Sequence, residues 1–206
     1  MFHVKQFQEM TGVSLEALER LQAYADLLEK WQAKINLVGP ATLPDLWRRH
    51  MLDSAQLFPL LPKEDCSVVD FGSGAGFPGL VLALMGASHV TLVESDGRKC
   101  AFLAEVMRAT ETGPGVRLEN RRIEETSPVR VDVVTSRALA PLDRLLSLSG
   151  PFIGEGTICL FPKGKTVDEE LTEAEKIWMM RVSKIQSLSD PSGTILKLEN
   201  IARRNG

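Results

Sequence analysis

The residues richest in possible chemistry form one run, Val68-Val69-Asp70-Phe71-Gly72-Ser73-Gly74-Ala75-Gly76-Phe77-Pro78-Gly79. An apolar, β-branched strand runs into three alternating glycines, and Pro78 suits the first position of a helix. Without Cβ atoms at Gly72, Gly74 and Gly76 the backbone can close on a ligand, and the following helix N-terminus offers unpaired N–H groups with partial positive charge. Dinucleotides bind such loops, and Gly74-Ala75-Gly76-Phe77-Pro78-Gly79 fits G-x-G-x-x-G formally. Asp70 argues for a different ligand. A carboxylate just ahead of the first glycine repels a pyrophosphate but suits the ammonium and sulfonium of S-adenosylmethionine.

Further along, Glu94 closes the next strand, where an acidic side chain accepts hydrogen bonds from ribose hydroxyls. Ile123-Glu124-Glu125 follows the third strand and is placed to meet an adenine ring. The fourth strand ends in Thr135-Ser136-Arg137-Ala138-Leu139-Ala140-Pro141, on the side where this architecture presents its substrate. It carries no Asn/Asp-Pro-Pro-aromatic tetrad, which disfavours methylation of an exocyclic amino group. There is no Pro-Cys pair, and Cys159 sits in an apolar run that reads as core rather than covalent catalyst.

A nucleophile that already holds a free lone pair, such as guanine N7, needs in-line approach and no general base. The site must then accommodate a positive charge that leaves sulfur and reaches the purine. Arg137 is expected to anchor anionic parts of the cofactor or of RNA. Drawing a base out of its stack costs a few kcal/mol, and Trp47, His50, Phe77 and Lys163 are the aromatic and cationic groups able to offset it. Arg137, His50 and Lys163 are therefore the expected catalytic residues, and Arg49, His50, Lys163 and Lys165 the expected RNA contacts. Arg98-Lys99, Arg121-Arg122 and Arg203-Arg204 are further basic pairs.

These groups need a scaffold. Residues 14–36 space Leu15, Leu18, Leu21, Ala25, Leu28 and Trp31 as one helical face behind Ser14 as N-cap. A second helix is expected from Pro44, burying Leu46, Trp47, His50, Met51, Leu57 and Phe58 until Pro59 and Pro62 interrupt it. From residue 63 the pattern changes to strands Ser67–Phe71, His89–Glu94, Val116–Glu119, Val131–Thr135 and Thr157–Phe161, with amphipathic stretches between them. Such alternation predicts right-handed βαβ crossovers, a parallel sheet, and ligands beyond the carboxyl ends of the strands. Arg181–Ser187 and Thr194–Ile201, around the turn Asp190-Pro191-Ser192-Gly193, read as a closing antiparallel hairpin. The expectation is one α/β domain, with a helical cap over 1–62 and a Rossmann-like core over 63–206 whose seven-stranded sheet is mostly parallel.

Composition narrows the class. With 206 residues, 44% hydrophobic and 25% charged, the chain can bury roughly 70% of its extended surface like an ordinary globular protein. Its net charge of −3 provides no general attraction to a polyanion, so RNA binding rests on local basic patches. Cys66, Cys100 and Cys159 lack the spacing of a disulfide framework or a zinc site. No signal peptide, membrane span or metal is expected, and the cytoplasm is the natural compartment.

Taken together, Lys30-Trp31-x-x-Lys34-Ile35-Asn36-Leu37, Arg49-His50-x-Leu52-Asp53-Ser54, the Asp70–Gly79 run, Ser136-Arg137-Ala138-x-Ala140 and Lys163-Gly164 resemble the RsmG (GidB) family. The likeness spans about residues 20–165. It implies a class I S-adenosylmethionine-dependent methyltransferase acting on N7 of one guanine in the decoding-region hairpin of 16S ribosomal RNA. It implies cofactor contacts at Gly72, Phe77, Ile123, Glu124 and Arg137, with Arg49-His50 near the RNA or the mouth of the site. The expected partner is the small ribosomal subunit, and the chain is read as a monomer. Two departures stand out: Glu94-Ser95-Asp96-Gly97 replaces the family's usual Asp-Ser, and the C-terminal tail is short and divergent. Two other readings remain open, an NAD-dependent oxidoreductase using the same glycines and a ribosome-assembly factor that binds without transferring a methyl group.

Overall fold

The computed structural model describes residues 3–63 and 65–204. Helix α1 spans Val4–Thr11 and ends at Gly12, whose φ of 65° lets the chain turn into the next helix. Ser14 caps α2 (Leu15–Gln32) by accepting a hydrogen bond from the Ala17 amide. The buried face of α2 is Ala17, Leu21, Tyr24, Ala25 and Leu28, whereas Leu15, expected on it, is 69% exposed. The helix stops at Gln32 instead of continuing to residue 36, because the Gln32 side chain turns back to bond the backbone of Leu37 and Val38.

The expected second helix is broken. A 3₁₀ segment covers Pro40–Asp45 with Pro44 inside it, a π-turn covers Trp47–Leu52, one α-turn (α3) covers Asp53–Ala55, and a final 3₁₀ turn covers Phe58–Leu60. Widened π-turns favour functional sites because they redirect side chains. Here the turn buries His50, Met51 and Leu52 and leaves Trp47 partly exposed, with its ring 5.2 Å from Phe7.

The sheet runs β3-β2-β1-β4-β5-β7-β6. Its strands are β1 (Ser67–Phe71), β2 (His89–Glu94), β3 (Val116–Asn120), β4 (Val133–Ser136), β5 (Ile158–Lys163), β6 (Trp178–Gln186) and β7 (Thr194–Arg203). The first five are parallel, and β7 pairs antiparallel with both β5 and β6. The hairpin turns where expected, with the Gly193 amide donating to the Asp190 carbonyl at 2.9 Å. α4 (Gly79–Leu84), α5 (Gly97–Ala109), α6 (Leu142–Ser149) and α7 (Val167–Glu175) supply crossovers, but between β3 and β4 only a 3₁₀ turn, Ile123–Glu125, replaces the expected amphipathic stretch.

The sheet separates two apolar layers. On one face Phe7, Leu21, Tyr24, Leu28, Leu80 and Phe102 join the N-terminal segment to α4 and α5. On the other, Phe71, Leu145, Phe152, Phe161 and Trp178 pack beneath α6 and α7. Each large side chain so buried contributes roughly 1.5–3 kcal/mol, which holds the N-terminal segment against the glycine loop. Cys66, Cys100 and Cys159 are all buried as free thiols, and burial pushes each of them up from its ordinary pKa. Among the described residues no helix is long and apolar enough to cross a membrane.

Candidate active site

The order reverses between β1 and β4, and such a switch point opens a crevice at the carboxyl ends of the strands. A cavity of about 890 Å³ lies there, within the range of small-molecule and cofactor sites. Its lining includes Gly72, Ser73, Gly74, Ala75 and Phe77 from the glycine loop, Glu94, Ile123, Glu124, Arg137 and Leu139 from the other strand ends, and Leu37–Gly39, Thr42, Arg49 and His50 from the N-terminal segment.

The glycines divide their work. Gly72 is demanded by its φ of 64°, since the Leu139 Cδ1 that a Cβ would approach at 2.7 Å is the movable end of an exposed side chain. At Gly74 (φ 59°) the nearest atom to such a Cβ is the Gly72 carbonyl oxygen at 3.7 Å, and the residue borders the cavity. Gly76 (φ 101°), expected as a cofactor contact, does not border it: a Cβ there would meet Tyr24 Oη at 2.7 Å and Leu103 Cδ2 at 3.0 Å. Its bareness admits the helix α2, whose fully buried Tyr24 donates a hydrogen bond to the Ala75 carbonyl and stacks on Phe77 at 5.4 Å.

Asp70 also departs from expectation. Its side chain is fully buried and does not border the cavity; Oδ2 accepts from the Gly79 amide at 3.1 Å, at the start of α4. The carboxyl group therefore answers the positive helix end itself, behind the cavity wall and not in it. Burial pushes its pKa up to about 7, against the lowering effect of the Gly79 and Ser73 hydrogen bonds.

Glu94, not Asp70, presents carboxylate oxygens beside the loop. It spans the gap to the neighbouring strand end, with Oε2 accepting from the Gly74 amide and Oε1 from the Asp96 amide, each at 2.8 Å. Asp96 itself caps α5 by accepting from the Arg98 amide at 2.8 Å, which gives the Glu-Ser-Asp-Gly departure a structural use. Ile123 and Glu124 border the far end of the cavity, where Glu124 is exposed and 3.8 Å from Arg144.

Arg137 ties the strand end to the N-terminal segment. From the end of β4 its guanidinium lies 4.8 Å from the Phe77 ring centre, donates to the Arg49 carbonyl at 3.1 Å and to Asp53 Oδ2 at 3.2 Å, and stands 2.7 Å from His50 Nδ1. His50 lies against Phe77 at 5.1 Å, and burial, then the charges of Arg137 and Arg49, press its pKa down to about 3. It is therefore neutral near pH 7 and no proton carrier there, contrary to what a site histidine suggests. Ala138, next in sequence, adopts φ 54°, an uncommon conformation for a non-glycine residue.

A second cavity of about 600 Å³ shares Arg49, Asp53, Arg137 and Ala138–Pro141 with the first and continues to Pro162, Lys163, Thr166, Ser189 and Thr194. Lys163 does not extend freely toward a ligand: its side chain is 8% exposed, and Nζ donates to Glu170 Oε2 at 2.7 Å and to the Ala140 carbonyl at 3.0 Å. Arg49 pairs with Asp190 at 2.7 Å at this mouth, tying the π-turn to the hairpin. Lys165 is exposed and borders neither cavity. Thr42, Gln32 and Tyr24 were not legible as site residues, since nothing in their local spacing separates them from ordinary helix surface or core; Asp53 stood in the Arg49-His50-x-Leu52-Asp53-Ser54 motif but had no role assigned to it.

The sheet order, the switch-point cavity and the glycine loop define a class I methyltransferase fold. Ribosomal protein L11 methylase from Lactobacillus delbrueckii subsp. bulgaricus shares it with a TM-score of 0.57 at 17% identity, over 74% of this chain and 79% of that one. So does the tRNA m1G37 methyltransferase of M. jannaschii, with a TM-score of 0.57 at 15% identity over 82% and 51%. The chain belongs to the GidB family, rRNA small subunit methyltransferase G, whose family model matches residues 17–196. The ribosomal RNA small subunit methyltransferase G of Paramagnetospirillum magneticum is 60% identical over 193 residues, 94% of this chain and 93% of that protein. That of Rhodospirillum centenum is 52% identical over 203 residues, covering 98% and 93%.

Proposed function

We propose that this chain transfers a methyl group from S-adenosylmethionine to N7 of one guanine in 16S ribosomal RNA, acting in the cytoplasm on the small subunit or its RNA. The observation that supports the N7 assignment is that, among the described residues, the two groups at the junction of the cavities that could take up a proton, His50 and Asp53, are both already engaged. His50 is neutral with both ring nitrogens engaged, and Asp53 accepts from Arg137, Ser189 and Gln56. An amino-group target would have to lose a proton in the course of the reaction; guanine N7 attacks with a lone pair and loses none.

The larger cavity fits the methyl donor. Gly74 leaves the loop open, Glu94 offers acceptors to ribose hydroxyls, Ile123 offers an apolar surface to adenine, and Arg137 offers a cation to the donor's carboxylate. S-adenosylmethionine, when bound, supplies an electrophilic methyl on a positively charged sulfur. The second cavity, with Arg49 and Lys163 at its rim, then takes the target nucleotide, and Lys165 lies outside on the surface toward the RNA. In this reading residues 1–62 cap a single methyltransferase unit that works without a metal.

Calorimetry with S-adenosylhomocysteine and NADH tests the donor site: binding of the first and not the second is expected, and the reverse refutes the proposal. Transfer of a labelled methyl group to small subunits from a strain lacking this gene tests catalysis. Donor binding without transfer to RNA identifies a binding factor instead.

A further inference from the structure

Leu37, Val38, Gly39 and Thr42 form a wall of the larger cavity that is held at two points. At one, Gln32 Oε1 accepts from the Leu37 and Val38 amides at 2.9 and 3.0 Å, and its Nε2 donates to the Val38 carbonyl at 2.8 Å. At the other, Thr42 Oγ1 donates to the Gly39 carbonyl at 2.8 Å and stands 2.7 Å from His50 Nε2.

The hydrogens of this second series of contacts follow from which groups can only donate. A guanidinium has donors only, so His50 Nδ1 at 2.7 Å from Arg137 Nη2 must be the bare acceptor. The ring hydrogen is then on Nε2 and goes to Thr42, whose own hydrogen goes to Gly39. A second proton on the ring would face Arg137, with Arg49 beside it in the same π-turn; Asp45 favours it, Asp53 is taken up by Arg137, and Thr42 and the Phe77 ring complete the surroundings.

We propose that His50 and Thr42 are positioning residues: the one-directional chain Arg137–His50–Thr42–Gly39 couples the cavity wall to the guanidinium and fixes its aim at the carboxylate of the methyl donor. This rests on the larger cavity being the donor site. Three of Arg137's five donors are spent on Arg49, Asp53 and His50, which leaves two for a ligand.

The test compares S-adenosylhomocysteine with 5′-methylthioadenosine, which keeps the adenosyl group and sulfur but has no carboxylate. Thr42→Val removes the hydroxyl at nearly constant shape and is expected to weaken S-adenosylhomocysteine about fivefold, the usual worth of one hydrogen bond, leaving methylthioadenosine within about twofold. Thr42→Ser is expected to restore the affinity. Equal weakening of both ligands, or of neither, overturns the proposal. On the ligand-free protein, nitrogen-15 spectra are expected to show His50 neutral with its hydrogen on Nε2 from pH 5 to 8; a proton on Nδ1, or titration near the ordinary 6.5, overturns it. Failure of the wild-type chain to bind S-adenosylhomocysteine refutes the donor site itself, and the spectra then still decide the hydrogen-bond chain.

Discussion

Glu94 accepts the amide of Gly74 at 2.8 Å, so the carboxylate at the end of β2 holds the open point of the glycine loop that follows β1. With its other oxygen on the Asp96 amide, one side chain fixes both the loop and the entry to α5. Glu94→Ala leaves two amides without their acceptor beside the proposed ribose site. Donor affinity is expected to fall at least about tenfold, and stability by roughly 1–3 kcal/mol. Titration calorimetry and urea denaturation check the two effects, and unchanged donor affinity contradicts the ribose assignment.

Gly74 and Gly76 separate binding from folding. Gly74→Asp places a carboxylate at the border of the cavity next to Glu94, and Asp tolerates positive φ better than most residues. Donor binding is expected to weaken more than about 100-fold while the chain stays folded. Gly76→Ala instead drives a Cβ onto Tyr24 Oη and strains a φ of 101°, so a loss of roughly 2–4 kcal/mol in stability is expected. Circular dichroism melts alongside calorimetry distinguish the two; a Gly76→Ala protein as stable as the wild type contradicts the packing role.

Asp70 makes stability depend on pH in a defined direction. Its folded pKa of about 7 lies above the ordinary carboxyl value of 3.8, so the folded state holds the proton more tightly. The contribution is complete below about pH 4 and is lost as the pH rises through 7. Relative to Asp70→Asn, the wild type is expected to lose roughly 2 kcal/mol between pH 5 and pH 8. His50 has the opposite sign, lowering stability as the pH falls below 6.5, but it is common to both proteins and cancels. Urea midpoints of the pair at pH 5, 6.5 and 8 check this, and parallel curves contradict it.

Much of the scaffold was legible because it follows from local patterns. β1 and β2 coincide with their expected bounds, the hairpin turns at Asp190–Gly193, and Ser14 caps α2 as its position suggests. The segment 40–60 was not, since hydrophobic spacing alone does not distinguish a continuous helix from 3₁₀, π and α turns that bury nearly the same residues. Asp70 was legible as a charged group but not as a buried one, because its partner, the Gly79 amide, becomes a neighbour only when the loop closes. Lys163 is the same case: its pairing with Glu170 depends on where α7 packs. Tyr24 acts on the glycine loop from far away in sequence, and Thr42 reaches His50 only because the intervening 3₁₀ and π turns bring the two together.

N7-methylguanine has a chemistry of its own, since borohydride reduction followed by aniline cleaves the RNA strand at that nucleotide. Small subunits lacking the modification are incubated with this protein and labelled S-adenosylmethionine, and their RNA is then reduced and cleaved. One methyl group per subunit and scission at a single guanine are expected. Labelled RNA that resists scission places the methyl group on another atom and contradicts the N7 assignment.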